Sequence, residues 1–395
     1  MRQKLLSEGA KELSYEIREI VKKANILQKE GVEITWENIG DPIQKNARNN
    51  EMGGAQITAD DILFFNGLGD AISTLYQYLN STSRVIGPSP AYSTHSSAEA
   101  AHANHKPLTY KLDPENSWYP DMEDLRNKVE FNPNVVAILL INPDNPTGMV
   151  YPKEILDGIV ALAKEFDLML ISDEIYHHIT YNGARSYALS EVIDDVPGIA
   201  MKGISKEMPW PGARCGWIEC YNRDKSSEFD QLCNALDDAK MIEVCSTTLP
   251  QMAIPKILGD QRFTEYRDAL NKKIGWRSTF IADTLSEVPE LIINKTYGAF
   301  YNTIVFKEGV LKDNQSLEIE NPVVKKKVED WVEGVPLDFR FVYYLLGATG
   351  ICVVPISSFC SNLLGFRVTL LEEDEELLKK TFTQVRDSIR EYLDS

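Results

Sequence analysis

An uninterrupted run of seven aliphatic residues, Val-Val-Ala-Ile-Leu-Leu-Ile at positions 135–141, constrains the fold of this chain more than any other segment. A strand with one face in water alternates apolar and polar residues, whereas this run predicts a strand that is covered on both faces. Other short apolar segments alternate with stretches of helical spacing. Strands are predicted at 62–65, 84–87, 168–171, 199–201 and 216–218, and helices at 71–80 and 152–166. This alternation predicts an α/β fold with a mostly parallel sheet.

The pattern changes after about residue 287. Short strands are predicted at 291–293, 299–305, 351–354 and 366–371, followed by a helix over 373–393, and an amphipathic helix is predicted near the N-terminus at 14–29. Strands that no longer alternate with helices are typical of an α+β unit. We therefore predict a large α/β domain over residues 50–285 and a smaller α+β domain formed by both chain ends, residues 1–49 and 286–395.

Composition narrows the class of protein. The 395 residues carry 41 basic and 59 acidic side chains, a net charge of −18, which argues against binding to nucleic acid or to an anionic membrane surface. The six cysteines form no Cys-x-x-Cys pair, so free thiols in a reducing compartment are favoured over a zinc site. The His-His pair at 177–178 lacks metal-ligand spacing, and no metal is expected. The N-terminus lacks an apolar signal core, so we expect a cytoplasmic protein.

Three polar segments directly follow predicted strands, where ligands bind in open α/β sheets. Asn-Gly-Leu-Gly-Asp at 66–70 could bring backbone amides to an anion at a helix start, although an ordinary tight turn explains it equally well. Asn-Pro-Asp-Asn-Pro-Thr-Gly at 142–148 predicts a constrained irregular loop that projects an amide side chain. Ser-Asp-Glu-Ile-Tyr at 172–176 places Asp173 at the end of a buried strand, where it needs a cation or a donor, unless it caps a helix.

Three cationic residues complete the candidate site. Lys206 lies in a loop between two predicted strands, and a lysine amine can hold an aldehyde cofactor. Arg214, eight residues later, is suited to a phosphate. Each could instead be an ordinary surface charge. Arg367 interrupts an apolar strand, where an unpaired guanidinium is costly; a structural ion pair is the alternative interpretation.

Taken together, these motifs resemble those of the fold-type I, class I/II aminotransferases, which use pyridoxal 5'-phosphate. The resemblance rests on Asn-Pro-x-Asn-Pro-Thr-Gly, Asp-Glu-x-Tyr and Ser-Lys with an arginine eight residues after the lysine, in this order, and it extends from about residue 14 to the C-terminal helix. It implies a seven-stranded-type, mostly parallel sheet, pyridoxal phosphate as cofactor and a homodimer.

The resemblance also implies roles for individual residues. Lys206 would form a Schiff base with the cofactor and then carry a proton. Asp173 would pair with the ring nitrogen, and Asn145 and Tyr176 would bond its phenolate oxygen. Further cofactor contacts would come from the following residues: Leu68 and Gly69 through their amides, Tyr92 through its ring, and Ser205 and Arg214 at the phosphate. The substrate would contact Gly40, Asn145 and the carboxylate-binding Arg367.

Two features depart from that family's pattern. Gly203 stands where many relatives carry a phosphate-binding serine. The segment between Pro42 and Gly67 is also much shorter than in relatives, and no tyrosine occurs between Tyr15 and Tyr76 to reach the phosphate of a neighbouring subunit. Either the segment is deleted, or residues between Gln44 and Gly54 are joined across a loop that the sequence omits. The second interpretation is favoured, since every other cofactor residue is kept.

The predicted function is transfer of an amino group between an α-amino acid and a 2-oxo acid. The alternatives are a C–S β-lyase of the cystathionine-cleaving type, disfavoured by Thr-Gly at 147–148, and an amino-acid-sensing regulator on the same fold, disfavoured by the net charge and the short N-terminal segment. A binding protein without activity is disfavoured by Lys206, Asp173 and Arg214. An apolar substrate pocket could be lined by aromatic residues, namely Trp36, Tyr297, Phe300 and Phe359, although core packing explains them as well.

Overall fold

The computed structural model describes residues 1–7 and 54–395, and its larger part is built on an eight-stranded mixed sheet. The strands are β1 (Ile62–Phe65), β2 (Arg84–Ser89), β3 (Thr109–Asp113), β4 (Tyr119–Pro120), β5 (Val135–Ile141), β6 (Met169–Asp173), β7 (Gly198–Gly203) and β8 (Gly216–Tyr221). Their spatial order is β1-β8-β7-β6-β5-β2-β3-β4. The pairs from β7 through β6, β5 and β2 to β3 are parallel, whereas β1, β8 and β4 run antiparallel to their neighbours.

Helices cover both faces of this sheet, as the apolar central strands require. All seven residues of β5 are buried, and one hydrophobic core lies on each side of it. The helices are α1 (Leu68–Tyr78), α2 (Ser93–Ala103), α3 (Met122–Glu130), α4 (Lys153–Glu165), α5 (Leu189–Val192), α6 (Ser227–Glu243) and α7 (Thr248–Leu258). Each parallel strand therefore returns through a crossover helix or loop, so that the strands' carboxyl ends meet at one edge.

A second, four-stranded antiparallel sheet forms the smaller part, in the order β11-β12-β10-β9. Its strands are β9 (Leu291–Ile293), β10 (Tyr301–Phe306), β11 (Val354–Pro355) and β12 (Gly365–Thr369). The long helix α8 (Gln261–Leu285) leads into it, and α9 (Pro322–Trp331), α10 (Leu337–Thr349) and α11 (Glu375–Asp394) pack around it. Within the described ranges, no helix has the length and apolarity needed to cross a membrane.

The predicted fold class is confirmed: a mostly parallel sheet flanked by helices is joined to a smaller α+β unit. The two-residue strand β4 is what brings the large sheet to eight strands rather than seven. The helix predicted at 14–29, Trp36, Gly40 and the short segment after Pro42 lie largely or wholly outside the described residues.

The first seven residues lie on the large sheet's side of the molecule. Leu5 and Leu6 are buried in its core, Leu6 forms a bridge with Leu79, and the terminal amine of Met1 lies 2.7 Å from Asp167. These contacts pack residues 1–7 against the core of the large sheet. The predicted division into a domain over 50–285 and a second one formed by residues 1–49 and 286–395 stays a prediction.

Candidate active site

The polar segments that follow the central strands meet at one edge of the large sheet. In the parallel pairing, Ile141 is opposite Asp173, and Asp173 is opposite Met201. The loop at 142–148, the turn at 173–176 and the turn that carries Lys206 therefore start side by side. This proximity follows from the topology, because parallel strands end at the same edge.

Asp173 is held at the end of β6 by two donors. Its Oδ2 atom lies 3.0 Å from Nε2 of His95, and its Oδ1 atom accepts a hydrogen bond from the amide of Ile175. Both Asp173 and His95 are buried. A buried carboxylate requires such partners, and His95 supplies the one that comes from a side chain. His95 was missed by sequence reasoning; the available signal was its position one helical turn after Tyr92, at the start of α2.

The loop at 142–148 is locked in place by its own side chains. Oδ2 of Asp144 accepts hydrogen bonds from both the amide and the hydroxyl of Thr147. Gly148 adopts φ +74°, and a Cβ there would lie 2.2 Å from the carbonyl oxygen of Tyr301, so no other residue fits. The hydroxyl of Thr303 donates to the carbonyl of Pro146. Strand β10 therefore packs against the loop and holds it in position, and with it the buried Asn145.

Lys206 lies on the turn that follows β7, half-buried between aromatic rings. Its Nζ atom lies 6.0 Å from the ring centre of Tyr176 and 5.7 Å from that of Phe300. Burial lowers the pKa of the lysine, the positive charge of Arg367 lowers it further, and Asp173 acts in the opposite direction. A lysine with a lowered pKa carries more of the neutral amine that reacts with carbonyl compounds.

Arg214 faces the start of helix α1. Its Nη2 atom donates to the carbonyl of Asn66, and its Nη1 atom donates to that of Pro211. Gly67 caps α1 with φ +90°, and a Cβ there would lie 2.4 Å from Nη2 of Arg214. Leu68 and Gly69 are the first residues of this helix, and amides in the first turn have no acceptor within the helix itself. The arrangement is suited to an anion such as a phosphate.

Arg367 approaches the same edge from the smaller sheet. Its Nη1 atom donates to Oδ1 of Asn145 at 3.0 Å, and its guanidinium packs on the rings of Tyr301 and Phe359. Its Nε atom is buried and has no hydrogen-bond partner in the described structure. Burial lowers the pKa of the guanidinium. No carboxylate pairs with Arg367 among the ion pairs of the described residues, so the ion-pair interpretation is not favoured.

The remaining predicted residues lie around this centre. Tyr176 is buried with its hydroxyl 3.2 Å from that of Tyr301. Tyr92 stands at the N-terminus of α2, with its ring edge-to-face with His95, and Ser205 precedes Lys206 on the same turn. Tyr301 was also missed from sequence, because it reads as one more apolar residue of a strand.

A family model described as aminotransferase class I and II matches residues 9–380. The chain belongs to this family. It is 50% identical to an uncharacterized aminotransferase of Methanocaldococcus jannaschii over 430 aligned positions that cover both chains completely. That alignment is longer than this chain of 395 residues, so the relative contains positions that this chain lacks. A glutamate-pyruvate aminotransferase of Escherichia coli is 30% identical over 63% of this chain and 60% of its own length.

Solved structures agree with this assignment. An alanine aminotransferase from Pyrococcus furiosus has a TM-score of 0.69 and 25% identity over 97% of this chain and 98% of its own. A tyrosine aminotransferase from Leishmania infantum, 18% identical over 84% of this chain and 75% of its own, has a TM-score of 0.72 and shares the fold.

The protein is therefore an aminotransferase of a family that depends on pyridoxal phosphate. The predictions of family, fold and enzyme class are confirmed, and the C–S lyase alternative is not favoured.

Proposed function

We propose that this chain binds pyridoxal 5'-phosphate through the residues at the carboxyl edge of the large sheet and uses Lys206 as its reactive amine. The single observation that carries the proposal is that four residues separated by up to 194 positions in sequence come together in space: Lys206, Asp173, Tyr176 and Arg367. The donor set fits the cofactor: an amine for its aldehyde, a carboxylate for its ring nitrogen, and an arginine with helix amides for its phosphate.

Bound pyridoxal phosphate supplies an electron sink for the carbon that loses its proton. The chain's own residues do the rest. Asp173, whose Oδ2 atom lies 3.0 Å from Nε2 of His95, would pair with the ring nitrogen. Asn145 and Tyr176 contribute polar groups for the phenolate oxygen, and Tyr92 provides a ring face.

Burial and the charge of Arg367 lower the pKa of Lys206, which favours the neutral amine, and this amine would take and return the proton at the substrate's α-carbon. Arg367, with Asn145, orients the substrate by its α-carboxylate. Gly40 and Ser205 stay in the proposed site on the resemblance alone; Gly40 lies outside the described residues.

The reaction we propose is amino-group transfer between an α-amino acid and a 2-oxo acid. Alanine and 2-oxoglutarate are the first pair to test, because relatives are named glutamate-pyruvate and alanine aminotransferases. Holoenzyme mixed with alanine alone should lose its visible absorbance and release pyruvate, and added 2-oxoglutarate should restore the absorbance and yield glutamate. Lys206→Ala should abolish both half-reactions, while Lys202→Arg, on the strand that precedes the turn, should retain them. Release of ammonia together with pyruvate would instead indicate lyase chemistry.

We also propose a homodimer. Apolar side chains are exposed at the end of α6 and along α7: Ile242, Leu249, Met252 and Leu258 have exposed fractions of 48–71%. Leu249 and Met252 lie one turn apart on α7. The buried Ile254 of the same helix packs beside the turn that carries Lys206. A second copy of the chain that covers these exposed apolar side chains would bury apolar area next to the active site. Leu249→Glu should convert a dimer into monomers in sedimentation velocity, whereas Phe131→Glu, at an exposed residue that ends α3, should not. A cytoplasmic location likewise stays a proposal; the free thiols of all six cysteines support it.

A further inference from the structure

The ring of Tyr301 touches two residues to which the proposed function gives separate tasks. Its hydroxyl oxygen lies 3.2 Å from the hydroxyl oxygen of Tyr176, and Cζ of Arg367 lies 4.4 Å from its ring centre. We propose that Tyr301 is a positioning residue, which orients the Tyr176 hydroxyl towards the cofactor with one part of its side chain and the Arg367 guanidinium towards the substrate carboxylate with another. This inference rests on the function proposed above.

The contact with Tyr176 joins two hydroxyl groups, either of which could donate the hydrogen bond. Both phenols are buried, and burial raises the pKa of Tyr176 well above its usual range, with Tyr301 and Asp173 contributing, so the group stays protonated. A phenol has one proton to donate. When Tyr176 donates it to the cofactor's phenolate oxygen, its own oxygen can only accept, and Tyr301 is the donor that faces it. A hydrogen bond donated by Tyr301 to Tyr176 would strengthen the hydrogen bond that Tyr176 donates to the cofactor.

The rings themselves restrict movement. Tyr301 and Tyr176 pack edge-to-face, with ring centres 5.9 Å apart and planes at 84°, and Phe300 also packs edge-to-face on Tyr176. The backbone of Tyr301 lies against Gly148, where no Cβ could be accommodated. Strand β10 is therefore held firmly where it passes the site, and the phenol has little freedom to turn away.

The contact with Arg367 fixes the plane of the guanidinium. Cζ of Arg367 lies 4.4 Å from the ring centre of Tyr301 and 4.8 Å from that of Phe359. Nη1 donates a hydrogen bond to Asn145, and the buried Nε lacks a partner in the described structure. A guanidinium packed on two rings keeps its donor edge available for a bidentate bond with a carboxylate. One residue thus sets the geometry of both the cofactor side and the substrate side of the cleft.

Three substitutions separate the two contacts in holoenzyme. Tyr301→Phe removes only the hydroxyl, Tyr301→Leu removes the ring as well, and Tyr176→Phe removes the donor to the cofactor. Tyr181→Phe is the matched control, because the hydroxyl of Tyr181 is also buried and bonded, but to Thr296 and the carbonyl of Gly298. Two quantities are measured: the apparent pKa from the pH dependence of the visible absorbance, and the dissociation constant of propionate, a simple carboxylate probe.

A phenol that donates to the phenolate oxygen stabilises the form of the cofactor that has lost its proton, so removing the donor raises the apparent pKa. For a hydrogen bond with a net worth of about 1 kcal/mol, Tyr176→Phe should raise it by about 0.7 unit. Tyr301→Phe should raise it by about 0.15 unit, since a cooperative neighbour contributes roughly a fifth of a bond. Tyr301→Phe should add nothing in the Tyr176→Phe background. Propionate affinity should be unchanged in Tyr301→Phe and about fivefold weaker in Tyr301→Leu.

The outcomes distinguish the positioning role from the proposed function. If Tyr176→Phe shifts the apparent pKa and Tyr301→Phe does not, the role of Tyr301 is wrong and the cofactor assignment stands. If Tyr176→Phe itself has no effect, the cofactor role of Tyr176 is wrong, and the present inference fails with it. Two results would indicate a general disturbance of the fold and overturn the proposal. One is that Tyr301→Phe shifts the apparent pKa equally with and without the Tyr176 hydroxyl. The other is that Tyr181→Phe shifts the apparent pKa by a comparable amount.

Discussion

Nε2 of His95, on helix α2, lies 3.0 Å from Oδ2 of Asp173, the last residue of β6, and both side chains are buried. The pair links Asp173, at the carboxyl edge of the sheet, to helix α2. The N-cap of this helix is Tyr92, the residue predicted to stack on the cofactor ring. Any movement of α2 would therefore change the position of the Asp173 carboxylate and that of the Tyr92 ring together.

His95→Phe should lower kcat/KM about 10- to 100-fold, because a hydrogen bond to a charged group contributes about 1.5–3 kcal/mol. His95→Gln, which keeps a donor, should lose much less. Steady-state kinetics with an amino acid and a 2-oxo acid test this. The control is His102→Phe, since His102 lies on the same helix and bonds the carbonyl of Ser83, away from the cleft. Equal losses in the His95 and His102 variants would attribute the effect to the helix rather than to Asp173.

Gly67→Ala should weaken cofactor binding strongly. The new Cβ would lie 2.4 Å from Nη2 of Arg214, and φ +90° disfavours any side chain at this position. The guanidinium must move away from the helix start, so the proposed phosphate site loses its cation. We expect the dissociation constant for pyridoxal phosphate to rise at least tenfold, a loss of about 1.4 kcal/mol.

Gly212→Ala provides the comparison for that measurement. It lies on the same loop as Arg214, and a Cβ there meets nothing within 4 Å. Fluorescence titration of apoprotein with the cofactor should give nearly the wild-type constant. If both alanine variants bind the cofactor like wild type, the phosphate does not lie between Arg214 and the start of α1.

Arg367→Met should have two effects that come from one lost charge. The positive charge of Arg367 contributes to the lowered pKa of Lys206, so its removal should raise that pKa. Capture of pyridoxal phosphate by the apoprotein would then require a higher pH. The substrate carboxylate also loses its bidentate partner, and KM for the amino acid should rise about tenfold or more. The pH dependence of the capture rate and steady-state kinetics measure the two effects.

Arg340→Met controls for the loss of an arginine elsewhere. Arg340 lies over the ring of Tyr344 and bonds the carbonyl of Gln315, within the smaller part of the molecule. Its replacement should leave the capture profile unchanged. A raised KM in Arg367→Met without a change in that profile would mean that the two cations are not electrostatically coupled.

The sequence identified the residues that follow buried strands, because strand ends can be recognised from apolar runs and their topology brings them to one edge. Lys206, Asp173 and Asn145 were found in this way. His95 and Tyr301 were not, since each reaches the site through a tertiary crossing: a helix turn over β6 in one case, and the register of a small antiparallel sheet in the other. The start of β10 was placed two residues early because Ala299 has φ +53°, outside the extended range.

Asp144 is a third residue of the site that the sequence does not predict. It occupies the variable position of the Asn-Pro-x-Asn-Pro-Thr-Gly motif, and that position carries no signal of its own in the sequence. In the structure it is fully buried, its Oδ1 atom lacks a hydrogen-bond partner in the described structure, and burial raises its pKa to about 7 in spite of the two bonds from Thr147. The carboxyl group is therefore tied to the stability of the loop that presents Asn145.

Asp144→Asn should make the protein more stable at pH 8 and leave it nearly unchanged at pH 4. The folded chain holds a proton on Asp144 that the unfolded chain releases near its ordinary pKa of 3.8. The contribution of this group to stability is thus fully present below about pH 4, and it is lost as pH rises towards 7. An asparagine oxygen can accept both bonds from Thr147 without ionising. Chemical denaturation should show a gain of about 2–4 kcal/mol at pH 8. A gain of the same size at pH 4 would mean that packing, rather than ionisation, distinguishes the two side chains.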